Sequence, residues 1–335
     1  MPRFNRFGAA VVAIIGLLIF FAACNGDGES PTSTQTPDGF PVTLQGADGR
    51  QITLDGPPQR MVVLSPGHVE ILFAIGAGDQ VVAVEQNTDF PPEAAAVEPK
   101  LSGFEPSTEA VAELNPDLVI LSFAPEGFVE QLAGLGITVF LDDIDTRITT
   151  VEGVFDSILE LGRATGHAAE ATELVRDLRE RVAAVEEAVA GVAEGPRVYH
   201  ELDDTLFTIS PGTFTGDLYA KLHAENIVGA GEGLFPQLSP EAVIDRDPEV
   251  IILADAAFGQ TPDVVAARPG WDVIDAVENN RVFAIDPNLV SRPGPRIVDG
   301  LEALARLLYP ELFPEEGRVP CSACFAAGAL ALRTR

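Results

Sequence analysis

Ser107–Leu121 reads STEAVAELNPDLVIL and Ser239–Leu253 reads SPEAVIDRDPEVIIL, with seven of the fifteen aligned positions identical. Of the others, Glu113/Asp245, Asp117/Glu249, Leu118/Val250 and Val119/Ile251 keep their character. Each copy is written as one helix followed by one strand. The serine suits an N-cap, an acid in the first turn complements the helix dipole, and a proline ends the helix. A short apolar run then reads as a buried parallel strand. A unit repeated in the same orientation predicts two related α/β lobes, and two lobes imply a cleft.

Around the first copy the chain keeps the same grammar. Val42–Leu44 and Gln51–Leu54 alternate about Gly46-Ala47-Asp48-Gly49, the mark of a hairpin. Met61–Leu64 is a strand, then Ser65-Pro66-Gly67, a helix from about His68 to Ile75, and a strand at Val81–Val84. A helix near Glu126–Leu135 and a strand at Thr138–Leu141 follow the repeat. This order predicts a parallel sheet with helices on both faces. Val151–Leu161 is helical. From His167 to Val189 a longer helix places Leu174, Leu178, Val182, Val185 and Val189 on one stripe. At 1.5 Å per residue it spans roughly 35 Å, enough to act as a strut along two lobes. The stripe is too short for a coiled-coil dimer, so the chain reads as a monomer. Beyond it come strands at Arg197–Glu201 and Leu206–Ile209, a helix near Thr215–His223, the second repeat copy, a strand at Arg281–Ile285 and a helix near Arg296–Leu308.

The expected fold class is therefore α/β: two Rossmann-like lobes with parallel sheets, joined by a single long helix. The expected divisions are a signal peptide over 1–23, a tether over 24–39 and an N-terminal lobe over 40–150. Connecting helices over 151–195, a C-terminal lobe over 196–312 and a tail over 313–335 complete them.

The first residues read as an export signal. Arg3 and Arg6 form a basic start, and Ala9–Ala23 is an apolar run too short to span a bilayer comfortably. Asn25–Gly39 is rich in Gly, Ser, Thr and Pro, as a flexible tether is. The formal charge is −30, and removing the two signal arginines takes it to −32. That acidity argues against nucleic acid and against direct adhesion to anionic lipids. Cys321 and Cys324 form a C-x-x-C near the end. Outside the cytoplasm the pair reads either as a small disulfide or as a remnant without a role, and alone it is weak ground for a metal.

Four stretches carry a resemblance. They are MVVLSPGHVEILFAIGAGDQVVAV from Met61, DFPPEA from Asp89, the first repeat copy with NPDLVIL, and, in the second half, LFPQLSPEAV with SRPGPRIVDGLEALA. In their order and spacing they resemble the solute-binding proteins of ABC importers for vitamin B12, ferric siderophores and haem, over about Phe40–Leu312. DFPPEA and SRPGPR look most like the cobalamin-type branch. Phe21-Ala22-Ala23-Cys24 is similar to a bacterial lipobox, although Phe21 replaces the usual aliphatic residue. That likeness implies cleavage before Cys24, lipidation of its sulfur and anchoring to the outer face of a membrane. The resemblance further implies an ABC permease with its ATPase as partner, a metal-chelate nutrient as ligand, cobalamin foremost, and no catalytic cycle. It implies that Glu109 and Glu241, one per lobe, dock onto permease arginines. An acid in a first helical turn has a rival purpose, since it also stabilises its own helix by about 0.3–1 kcal/mol.

The ligand is expected between the lobes, at loops following strand ends. Candidates from the first lobe are Ser65, Pro66 and His68 after the first strand, Phe104 before the first repeat copy and Phe123 after it. From the second come Tyr199, His200, Phe214, Phe235 and Arg292. Aromatic side chains suit a large planar ligand because they bury area at little entropic cost. His68 reads as a cleft-lining or helix-capping residue in preference to a metal ligand. No resident cofactor or metal is expected.

Two rival classes are weaker. His68-Val69-Glu70 with Pro320-Cys321-Ser322-Ala323-Cys324 spells the H-x-E…P-C-x-x-C pattern of zinc deaminases, yet an entire lobe separates the halves. A metal-ion receptor needs three or four converging His, Asp or Glu side chains, and His167 and His223 read as lying on helix surfaces. There is no G-x-S-x-G, Walker loop or H-E-x-x-H.

Overall fold

The computed structural model describes residues 39–143, 148–229 and 231–314, and two parallel sheets stand where two lobes are expected. The chain enters through a hairpin of β1 (Val42–Gln45) and β2 (Gln51–Leu54), then runs through β3 (Met61–Val63), α1 (Pro66–Ala74) and β4 (Val81–Glu85). Next come α2 (Pro92–Ala95), β5 (Lys100–Leu101), α3 (Thr108–Glu113), β6 (Leu118–Leu121), α4 (Phe128–Gly134) and β7 (Val139–Leu141). These strands lie in the order β5-β4-β3-β6-β7, all parallel. Two helices follow, α5 (Val151–Thr165) and α6 (Ala168–Val189).

The second lobe holds β8 (Arg197–Glu201), α7 (Phe214–Lys221), β9 (Glu225–Asn226), α8 (Pro240–Arg246) and β10 (Val250–Leu253). It ends with α9 (Pro262–Ala266), α10 (Asp275–Glu278), β11 (Val282–Ala284), α11 (Pro287–Val290) and α12 (Ile297–Leu308). Its strand order is β11-β10-β8-β9, again parallel.

Burial explains the uninterrupted apolar strands. In β6, Leu118 and Ile120 face one core while Val119 and Leu121 face another; β10 divides Val250 and Ile252 from Ile251 and Leu253 in the same way. A strand covered on both faces has no polar positions to spare. The inner core is continuous across both lobes. It contains Val154, Phe155 and Ile158 of α5, Leu178 and Val182 of α6, and Leu301 and Leu304 of α12. Each such side chain contributes about 1.5–3 kcal/mol on burial.

The repeat holds in atomic detail. Ser107 caps α3 by accepting from the Ala110 N–H, and Ser239 caps α8 by accepting from Ala242. Asp117 accepts the backbone N–H of Arg60 at 3.0 Å, and Glu249 accepts that of Arg197 at 2.9 Å. The carboxylate after each proline thus ties its strand to the start of the neighbouring strand, β3 in the first sheet and β8 in the second.

Three details depart from the sequence reading. Helix α1 begins at Pro66, two residues early, because proline's fixed φ suits the first helical position. The repeat helices stop before their prolines, at Glu113 and Arg246, and Asn115 and Asp247 then turn left-handed. Leu206–Ile209 is not a strand of the sheet. It makes only the isolated pairings Glu201↔Thr208 and Phe207↔Gln237, since Leu206 at φ 68° leaves extended geometry.

Candidate functional site

Parallel strands deliver their following loops to one edge, and in the N-terminal lobe that edge is a recess. A cavity of about 180 Å³ is lined by Ser65 and Pro66 after β3, Glu85 and Asn87 at the end of β4, Phe104 after β5, and Ser122 and Phe123 after β6. Ser291, Arg292 and Pro293 of the C-terminal lobe complete it. The Phe104 and Phe123 rings stand 6.4 Å apart at 43° and remain 71% and 47% exposed. Exposed, mutually supported aromatic surface beside polar groups is the composition of a small-molecule site.

Of the residues picked from the sequence, the structure brings Ser65, Pro66, Phe104, Phe123 and Arg292 together around this recess. Glu85, Asn87, Ser122 and Ser291 were not picked. The first three lie at or just past the ends of strands already recognised, so the position rule that found Ser65 could have found them, whereas Ser291 follows α11 and that rule does not reach it. Phe235 is half-exposed in the loop before α8 and does not line the recess.

Four candidates prove to be interior. His68 is fully buried, with Nδ1 2.8 Å from the Ser65 hydroxyl and Nε2 3.1 Å from Asp142, which also accepts from Ser157. Its polar atoms serve the fold, because α1 turns that face inward. Tyr199 packs edge-on against Trp271 at 6.2 Å, and burial raises its phenol far above the ordinary value. His200 Nδ1 lies 2.6 Å from the Tyr219 hydroxyl, and burial pushes its imidazole down to about 4, so it is neutral. Phe214 opens α7 inside the shared core. Tyr199 and His200 fall on β8, which is covered on both faces, and Phe214 lies on the buried side of α7, so each is core rather than cleft.

Beyond the recess, the C-terminal lobe buries a charged group at its own strand ends. Arg268 grips Glu201 with two bonds of 2.6 Å and lies 4.6 Å over the Trp271 ring. Burial, and then the neighbouring Glu201 carboxylate, push Asp255 up to about 7. Among the described residues, no three His, Cys, Asp or Glu side chains are grouped to hold a metal ion. His68 and Glu70 of the deaminase-like pattern are tied up in other bonds, and Cys321 and Cys324 lie outside the described residues, as does Cys24.

Glu109 and Glu241 are both exposed in the first turns of their equivalent helices. Among the described residues no helix is long and apolar enough to cross a membrane.

Comparison with known proteins gives a consistent result. The chain is 31% identical over 314 residues to an uncharacterized ABC transporter substrate-binding lipoprotein of Bacillus subtilis, covering 90% of this chain and 97% of that one. It is 31% identical over 320 residues to a cobalamin-binding protein of Halobacterium salinarum, covering 91% of this chain and 85% of that one. Among solved structures, one from the ABC-type Fe3+-hydroxamate transport system of Saccharomonospora viridis aligns with a TM-score of 0.67 at 28% identity, over 82% of this chain and 99% of that one. The family model described as periplasmic binding protein matches residues 61–289, and the chain belongs to that family.

Proposed function

We propose that the protein is an extracytoplasmic substrate-binding lipoprotein that captures cobalamin and delivers it to an ABC permease. The observation that carries this reading is the recess at the strand ends, with Phe104 and Phe123 raised beside it and Arg292 closing it from the second lobe. At about 180 Å³ it is smaller than the 300–1,000 Å³ of an enclosed ligand pocket. A corrinoid therefore sits across its mouth, against the exposed rings. The cobalamin-binding relative supports the choice.

The recess also bears on which chelate it takes. Haem iron needs an axial His, Tyr, Cys or Met. All four histidines and all three tyrosines of the chain are among the described residues, and none lines the recess. Among the described residues the lining offers no axial His, Tyr, Cys or Met, which favours a ligand whose metal brings its coordination complete. A ferric siderophore meets the same condition and is the second reading, supported by the hydroxamate-system structure. Glu109 and Glu241 are the docking points for the permease, Cys24 is the lipid anchor, and the protein works as a monomer without catalysis. Calorimetric titration with cyanocobalamin tests the reading. Saturable heat and retention of the corrin absorbance through gel filtration are expected; heat with a ferric hydroxamate but none with cyanocobalamin would promote the second reading.

A further inference from the structure

The C-terminal lobe reaches the base of the cleft through residues 291–296, and a carboxylate of the other lobe grips this segment. Glu70 on α1, with its side chain 1% exposed, accepts two bonds from Arg296, at 2.9 and 2.6 Å, and one from Arg292 at 3.3 Å. Arg296 also lies 4.2 Å over the Phe90 ring. The backbones meet closely: a Cβ at Gly67 would come 2.8 Å from the Pro293 carbonyl oxygen. Arg292 donates further to Asp89 at 2.5 Å and to the Asn87 carbonyl at 3.1 Å, and Asn288 donates to Asp89 at 3.2 Å.

Two carboxylates and two guanidiniums balance in charge, but the carboxylates are not equivalent. Removing Glu70 would leave two guanidiniums without a sealed counter-charge, which is costly. The Asp89 side chain is 55% exposed, against 13% for Arg292. An ion pair with one member in water is weak, so Asp89 can return to solvent at small cost. Its departure frees N–H groups of Arg292 at the edge of the recess. A guanidinium fork held in place suits a carboxylate, phosphate or amide oxygen.

We propose that Glu70 is a positioning residue that holds Arg292 at the floor of the cleft, and that Asp89 is a built-in competitor displaced by an acceptor oxygen on the rim of the ligand. This rests on the reading of the recess as a metal-chelate site. Both residues act through Arg292, and Glu70 never reaches the ligand.

The test is titration of wild type, D89A, D89N and E70Q with cyanocobalamin, beside thermal melting of each. D89A is expected to bind about three- to fivefold tighter, the size of one exposed ion pair, with D89N between it and wild type and melting unchanged. E70Q is expected to bind about tenfold or more weakly and to melt lower, as when a buried charge loses its partner. Repeating D89A with dicyanocobinamide, which lacks the nucleotide phosphate, separates the sources. A retained gain assigns the oxygen to an amide, a lost gain to the phosphate. Wild-type binding with D89A unchanged or weaker overturns the competitor and leaves the reading of the cleft standing. E70Q binding as tightly as wild type overturns the positioning role. If wild type binds neither cyanocobalamin nor a ferric hydroxamate, the reading of the cleft and this proposal fall together.

Discussion

Asn115 and Asp247 hold the same left-handed position of the repeat in the two lobes, at φ 48° and 43°, within two residues of the ends of the equivalent helices α3 and α8. A residue with a Cβ pays roughly 1–2 kcal/mol for this conformation unless a short polar side chain relieves it. Asn115 does so by donating from Nδ2 to the Glu113 carbonyl at 3.0 Å, and Asp247 by accepting the Asp275 N–H at 2.9 Å. N115A and D247A are therefore expected to lose about 1–2 kcal/mol each in urea unfolding, and N115G much less. Equal losses for alanine and glycine at 115 would show that the side-chain bond, not the backbone, matters there.

This pair also marks how far the sequence could be read. The repeat revealed the helix–strand grammar, the N-cap serines and the buried strands, because those follow from local rules of capping and periodicity. The left-handed turns hid behind the prolines, which look like sufficient stops. At the site, Ser65 and Phe123 were legible as residues just past strand ends, and Phe104 as an aromatic just before the first repeat copy. His68, Tyr199, His200 and Phe214 were misread because residue type does not tell which face of a doubly covered layer a side chain takes. The Glu70–Arg296 bond joins residues 226 apart in the chain, and no local pattern reports such a pairing.

Two buried groups give the C-terminal lobe opposed responses to pH. His200 falls from 6.5 to about 4, so between these values the unfolded chain binds a proton that the native protein refuses. Its contribution is complete above pH 6.5 and is lost as pH falls toward 4. Asp255 rises from 3.8 to about 7, so the native protein keeps a proton that the unfolded chain has released. That contribution is complete below pH 3.8 and is lost as pH rises toward 7. Each slope is at most about 1.4 kcal/mol per pH unit, and they largely offset between pH 4 and 6.5. D255N should therefore show stability climbing more steeply with pH than wild type, and H200Q the reverse, in urea melts at pH 4.5 and 6.5. Parallel profiles for D255N and wild type would remove Asp255 from the account.

Cys24 precedes the described residues, so its modification is tested chemically. C24A should lose metabolic labelling by palmitate and appear as uncleaved or released protein. Labelling that persists in C24A would exclude this sulfur as the anchor.

Docking and ligand binding should separate. Glu109 and Glu241 are exposed and do not line the recess, and each stabilises its helix by only about 0.3–1 kcal/mol through the dipole. The double reversal E109K/E241K is expected to fold, to bind cyanocobalamin within about twofold of wild type, and to stop uptake by repulsion from a basic partner surface. Normal uptake by cells carrying the double variant would take both residues out of the interface.

The aromatic candidates divide by burial into two kinds of loss. Phe123 is half-exposed beside Phe104 at the recess, so F123A should weaken cyanocobalamin binding by about 1–2 kcal/mol, five- to thirtyfold, with little change in melting. Phe214 is 4% exposed inside the shared core, so F214A should cost about 3–5 kcal/mol of stability. At a temperature where F214A is fully folded, its affinity should stay near that of wild type. Calorimetry at 15 °C beside thermal melts separates the two, because ligand contact and core packing then move different readouts. A normal affinity in F123A together with a weakened one in folded F214A would reverse the assignment and move the ligand to the second lobe.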